Sequence, residues 1–317
     1  MFYQTFVQLC YLFIIYSSTN LNNKLVNWLI FIALSFIWGS SFILMKEGLE
    51  HISAFQVASL RIISSGLVLL PVAYKSFRQI PKEKIFYTFM SGVLGSLLPA
   101  YLFCVAEQGI DSALAGVLNS LTPIFVIIIG AMFFQSKTST HKVIGIIIAF
   151  SGSLLLFLTQ PDFSHNSNAF YVLLVVIATL MYGINVNMVH RHLSNIPSLQ
   201  IASMALLLNA VPASIVLIIS GYFKLDLTNR GILFSTGYSC ILGIFGTAVA
   251  SVIFYMLIKR AGAVFSSMVT YGIPFVAIMW GYVYGENIGW KQVLSLLVIL
   301  TGVYIANMRI KPALKPA

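Results

Sequence analysis

Apolar residues along this chain fall in long blocks rather than in the every-other pattern of half-buried strands. Ten blocks stand out: Trp28–Lys46, Val57–Tyr74, Ile85–Ala106, Ser112–Phe134, Val143–Thr159, Ala169–Val189, Gln200–Tyr222, Ile232–Leu257, Gly262–Tyr284 and Val293–Met308. A helix needs about 20 mostly apolar residues to cross the hydrocarbon of a bilayer, and these blocks are of that size. The expected fold is an all-α membrane protein of ten transmembrane helices. They divide into a first five-helix repeat over 25–160 and a second over 161–310. An odd number of crossings per half turns the second repeat upside down relative to the first, an arrangement many secondary transporters use. Residues 1–24 read as an interfacial extension without the basic start of a signal peptide, and 311–317 as a cytoplasmic tail.

Charge supports this division. With a cytoplasmic N-terminus, 13 Lys and Arg fall on the inner side, among them Lys75, Arg78, Lys82, Lys84, Arg191, Lys259 and Arg260. Five fall outside: Lys46, Arg61, Lys224, Arg230 and Lys291. Positive charge marks cytoplasmic loops, so both termini are expected to be cytoplasmic. A missed crossing would scramble the alternation. Only 8% of residues are charged, with 59% hydrophobic, which excludes an ordinary soluble domain. The net charge of +10 is dispersed over short loops and suits anionic lipid, not nucleic acid. Cys10, Cys104 and Cys240 have no metal or redox spacing, and the chain has no GxxxxGK[ST], HExxH or GxSxG. No cofactor is expected, and a lipid enzyme is a weak alternative. A sensor or structural membrane protein without transport is the other.

The two halves share landmarks. An offset of 151 residues carries Phe103 to Phe254, Pro123 to Pro274 and Gly130 to Gly281; an offset of 144 carries Trp38-Gly39 to Tyr182-Gly183. Polar residues inside a membrane need partners, so polar stripes face the bundle interior. Ser35, Trp38 and Ser41 share one helix face, as do Thr179, Tyr182 and Asn185. The candidate substrate-binding residues are Trp38, Ser41, Asn119, Tyr182, Asn185, Thr270 and Tyr271. Pro123 and Pro274 are candidate hinges, because a mid-helix proline removes a backbone hydrogen bond. The candidates for gating or coupling are Arg61, Glu107, His190 and Glu286, all near helix ends. With no carboxylate expected inside the bundle, transport by facilitated diffusion or exchange is expected rather than tight proton coupling. The cavity would be aromatic and uncharged, which suits amphipathic or zwitterionic small molecules such as amino acids. A monomer suffices, and a bacterial inner membrane is the expected location.

Several motifs resemble those of the drug/metabolite transporter superfamily, in its EamA-type ten-helix members. They are Ile37-Trp38-Gly39-Ser40-Ser41-Phe42, Leu60-Arg61, Asn119 to Pro123, and Ser266 to Pro274 followed by Gly285-Glu286. The resemblance spans about Asn27 to Met308. It implies a permease or exporter with a cavity near the bilayer midplane, lined mainly by helices 1, 3, 4, 6, 8 and 9. Alternating access would come from rocking of the halves. The family often closes its fourth helix with an acid, where this chain has Gln135.

Overall fold

The structure, a computed structural model, describes residues 23–110, 112–158, 169–283 and 289–308. Among them every regular element is helical. In chain order these are α1 (Asn23–Leu49), α2 (Ala54–Val68), α3 (Leu70–Ser76), α4 (Lys82–Gly92), α5 (Leu98–Ala106), α6 (Ser112–Asn119) and α7 (Thr122–Phe133). There follow α8 (Thr140–Leu158), α9 (Ala169–His192), α10 (Ser198–Ile219), α11 (Arg230–Ile241), α12 (Ala250–Ser267), α13 (Ile273–Val283) and α14 (Trp290–Ala306). Widened π turns at Val93–Leu97 and Leu242–Val249 connect α4 to α5 and α11 to α12. A 3-10 turn at Met268–Gly272 connects α12 to α13. The extension 1–24, Glu286 and the tail 311–317 lie wholly or almost wholly outside the described residues.

Among the described residues, seven helical runs are long and apolar enough to cross a membrane, or eight when the bent pair α2 and α3 is one span. The expected single helix over Val57–Tyr74 is therefore corrected: it bends by 62° between α2 and α3. Pro71 is the second residue of α3; it has no N–H to give, and its ring crowds the carbonyl of Leu67. The run Arg230–Trp280 holds 51 residues. Laid straight it would reach ~76 Å, more than twice the hydrocarbon thickness. It is broken at Gly262, whose φ of 84° and ψ of 168° are not helical. That glycine opens the ninth apolar block of the sequence.

Many of these helices carry apolar residues outward as well as inward. Ile32, Met132, Phe133, Leu233, Phe234 and Tyr304 are exposed, a surface suited to lipid rather than water. Hydroxyls inside the bundle turn back on their own helices: Ser41 donates to the Ile37 carbonyl (2.8 Å), Ser76 to Val72 (2.8 Å) and Ser153 to Ala149 (3.2 Å). Each is thereby satisfied without water.

Lipid tails are as apolar as leucine, so close packing of small residues holds membrane helices together. The tightest pair is α8 with α14. A methyl carbon on Gly145 would lie 2.4 Å from the Ala306 nitrogen, and one on Gly152 would lie 2.7 Å from the Ile299 nitrogen. Later residues of α8 thus meet earlier residues of α14, and the two run antiparallel. α2 and α10 are antiparallel as well: Gly66 abuts Leu206 and Ala210, while Gln56 Nε2 donates to the Ser220 carbonyl at 3.0 Å. Ser53 and Gln56 also form a capping box that starts α2, with Ser53 N to Gln56 Oε1 at 2.9 Å. Ser53→Ala should lower stability by about 1 kcal/mol, seen as a lower denaturation midpoint in detergent; an unchanged midpoint would show that the cap contributes nothing.

Candidate functional site

A cavity of about 100 Å³ opens where the helix interruptions meet. From α1 come Trp38, Ser41, Phe42 and Met45; from α2, Arg61; from the first π turn, Gly95 and Ser96; from α5, Phe103. Asn119 ends α6 and Thr122 opens α7. From α9 come Tyr182, Asn185 and Val186; from the second π turn, Gly246 and Thr247; from α12, Ser251, Phe254, Tyr255 and Ser267. Thr270 lies in the 3-10 turn, and Ile273 opens α13.

The walls are aromatic and ordered. Trp38 Nε1 donates to the Gly246 carbonyl at 3.2 Å, and its ring meets Phe254 edge-on at 5.0 Å. Phe103 stacks with Tyr182 at 6.2 Å and meets Phe42 edge-on at 6.3 Å. Arg61 Nε donates to Thr247 Oγ1 at 2.7 Å. Asn119 Oδ1 accepts from Thr122 Oγ1 at 3.4 Å. Asn185 is 2% exposed, and its Oδ1 is buried without a hydrogen-bond partner.

The lining is paired across the two halves. The 144-residue offset relates Trp38 to Tyr182, Ser41 to Asn185 and Phe42 to Val186; all six line the cavity. The 151-residue offset relates Gly95 to Gly246, Ser96 to Thr247, Phe103 to Phe254, Asn119 to Thr270 and Thr122 to Ile273, and again all line it. The backbone contacts are exchanged in the same way. A methyl carbon on Gly92 would lie 2.6 Å from the Ala205 carbonyl oxygen, and one on Gly243 would lie 2.3 Å from that of Arg61. Arg61 and Ala205 are themselves related by the 144 offset. Gly95 abuts Asn185 as Gly246 abuts Ser41, and Gly39 abuts Val276 as Gly183 abuts Phe125.

Of the residues the sequence singled out, Trp38, Ser41, Asn119, Tyr182, Asn185 and Thr270 thus share one cavity, joined by Arg61. Tyr271 is a correction: it is fully buried, and its hydroxyl donates to the Ile146 carbonyl of α8 at 3.0 Å, so it packs in the core beside Ile30 and Leu34. The 3-10 turn shifts the helical phase there and brings Thr270 to the cavity instead. Pro123 and Pro274 are buried behind the lining, each the second residue of a helix that restarts after an interruption. His190 is exposed near the end of α9, away from the cavity. The other correction is to the expectation that no carboxylate lies inside the bundle, and it falls on Glu107. Both its carboxylate oxygens are buried without a hydrogen bond, so a carboxylate is present inside the fold. The groups around its carboxyl are Ser112, Arg61 and Lys46, and the turn that follows α5 is packed against α9, where the Tyr171 ring meets Gly109.

Sequence reasoning missed the π turns, which are frequent at functional sites. A signal was available, since Gly92-Val93-Leu94-Gly95-Ser96 returns as Gly243-Ile244-Phe245-Gly246-Thr247 at the 151 offset.

The chain matches the EamA-like transporter family over residues 2–158 and 169–308. It is similar to an uncharacterized transporter of Archaeoglobus fulgidus, 27% identical over 282 residues, covering 88% of this chain and 97% of the relative. It is also similar to the uncharacterized inner membrane transporter YedA of Escherichia coli K12, 23% identical over 280 residues, covering 87% and 89%. One crystal structure superposes with a TM-score of 0.68 at 14% identity, covering 88% of this chain and 95% of the other, a likeness of fold.

Proposed function

The chain belongs to the EamA-like transporter family, and from that premise we propose that it carries small metabolites across the membrane by alternating access through the cavity between α1, α9 and the interrupted helices. The carrying observation is the exchange of contacts between the halves: Gly92 with Ala205 against Gly243 with Arg61, and Gly95 with Asn185 against Gly246 with Ser41. Two halves that make the same contacts in swapped roles can also swap conformations, which closes the cavity to one side as it opens to the other.

On this reading the chain crosses the bilayer ten times, as two inverted repeats of five. α2 with α3 is one crossing and the break at Gly262 separates the eighth from the ninth. The antiparallel courses of α2 with α10 and of α8 with α14 support the inversion, since each pair joins corresponding helices of the two halves. The excess of Lys and Arg on alternate loops puts both termini in the cytoplasm, and the inner membrane transporter named among the relatives supports that location. The cavity is enclosed by one chain, so a monomer is the working unit. Its lining rings suit compact metabolites with an apolar body, amino acids among them.

Counterflow in proteoliposomes tests this. Purified chain loaded inside with unlabelled amino acids, nucleosides or sugars should accumulate the matching labelled compound transiently. Folded protein that shows no counterflow for any of them would defeat the proposal.

A further inference from the structure

We propose that Arg61 reads a carboxylate on the substrate, so that the cavity takes carboxylate-bearing metabolites with an apolar or aromatic body. This rests on the transport reading above and narrows its substrate. Among the described residues that line the cavity, Arg61 alone carries a formal charge. A guanidinium stays protonated at any physiological pH, so that charge is permanent. The buried carboxyl of Glu107 lies near enough to feel this charge but makes no hydrogen bond to it, and N–H groups left without acceptors beside apolar rings are costly.

Its donors are nearly all free. Among the described residues the one hydrogen bond the Arg61 side chain makes is from Nε to Thr247 Oγ1, at 2.7 Å. Of five N–H groups, four remain on the two terminal nitrogens. That pair of nitrogens is the edge that meets a planar carboxylate with two parallel hydrogen bonds. The base of the side chain is fixed as well. The Arg61 carbonyl seats against Gly243, so α2 cannot shift along the second π turn, and Thr247 holds Nε one helical turn further on. The fork is therefore aimed before a ligand arrives.

The cavity is symmetric in shape and unsymmetric in charge. The counterpart of Arg61 in the second half is Ala205, which carries nothing toward the cavity. An anion thus has one end at which to sit. The apolar remainder of the molecule would lie along Trp38, Phe103, Tyr182 and Phe254. A phosphate monoester, with a charge of about −1.5 to −2, would be left half-neutralised by one arginine, which favours a carboxylate.

Calorimetric titration of the full chain in detergent tests the proposal with four probes: 3-phenylpropionate, L-phenylalanine, phenethylamine and phenyl phosphate. Both carboxylates should bind, and phenethylamine should bind at least about tenfold more weakly. Arg61→Gln should bring the carboxylates down to the amine's level, and Arg61→Lys should restore part of the difference, because it returns charge without the fork. If Arg61→Gln does not yield folded protein, Thr247→Val serves instead and should weaken the carboxylates alone. The proposal is overturned if phenethylamine binds as tightly as the carboxylates, if neither carboxylate binds, if phenyl phosphate binds tightest, or if the variants weaken all probes equally. Carboxylate binding without counterflow would keep this site and defeat the transport reading. Counterflow of a neutral or cationic compound with no carboxylate binding would do the reverse.

Discussion

Gly302→Leu is expected to leave little folded protein. A methyl carbon at this position would lie 2.3 Å from the Ala149 nitrogen and 2.5 Å from the Gly145 carbonyl oxygen. Both are backbone atoms of α8, so no side chain can swing aside. The helices must separate, and every contact along them loosens at once. Overpacking in a core costs about 1–3 kcal/mol and sometimes more, against a total stability of about 5–15 kcal/mol. Here the loss extends along a whole helix pair with no hydrophobic effect to draw it back together in lipid. Gly145→Leu should behave alike, while Gly237→Leu, which meets nothing within 4 Å, should not. The readout is the yield of monodisperse protein in detergent and its thermal midpoint. A Gly302→Leu protein that melts with the wild type would show that α8 and α14 are not locked as described.

Asn185→Leu should cut transport by about tenfold while leaving the fold intact. Its Oδ1 is a buried acceptor with no partner, which costs about 1–3 kcal/mol in the empty protein. Leucine keeps the branched outline in a larger side chain and has no such oxygen. An apolar residue would avoid the cost of the unpaired oxygen. The acceptor is useful only if a ligand donor reaches it, and a net hydrogen bond of about 1–1.5 kcal/mol corresponds to roughly five- to tenfold in affinity. Initial counterflow rates beside thermal midpoints separate the cases. Unchanged transport would remove Asn185 from the site, and a collapsed midpoint would make it structural.

Much of the chain could be read without coordinates, for a physical reason. Lipid demands long apolar helices with satisfied backbones, so the course of α1, α9 and α10 is written in hydropathy, and Gly262 falls where the pattern pauses. Hydropathy says less about which way a helix faces when it is apolar on many sides. Trp38 and Tyr271 looked equally suited to a cavity; one meets it, while the other is turned to Ile146 by a 3-10 turn that no periodicity signals. Arg61 looked like an interfacial charge because it lies near the start of the apolar block Val57–Tyr74; α2 begins at Ala54 and puts it mid-helix. Its place in the cavity depends on Gly243, far away in sequence. By sequence Glu107 sits at a helix end and outside the bundle, yet its carboxylate oxygens are buried, which depends on packing that hydropathy does not show.

The two restarted helices bear on how fast such a molecule can move. Pro123 and Pro274 have no N–H for the carbonyls of Asn119 and Thr270, four residues back. Bending an intact helix breaks hydrogen bonds in a medium that offers no replacement. At these two joints the bond that the proline cannot donate is missing from the outset, and shorter-range bonds hold the turn, such as Leu121 N to the Leu118 carbonyl and Ile273 N to that of Thr270, so flexing breaks fewer bonds than in an intact helix. Each half carries its own joint at the same place. The backbone's share of the barrier is lowered, side-chain repacking around the cavity weighs more, and what occupies the cavity bears on the pace.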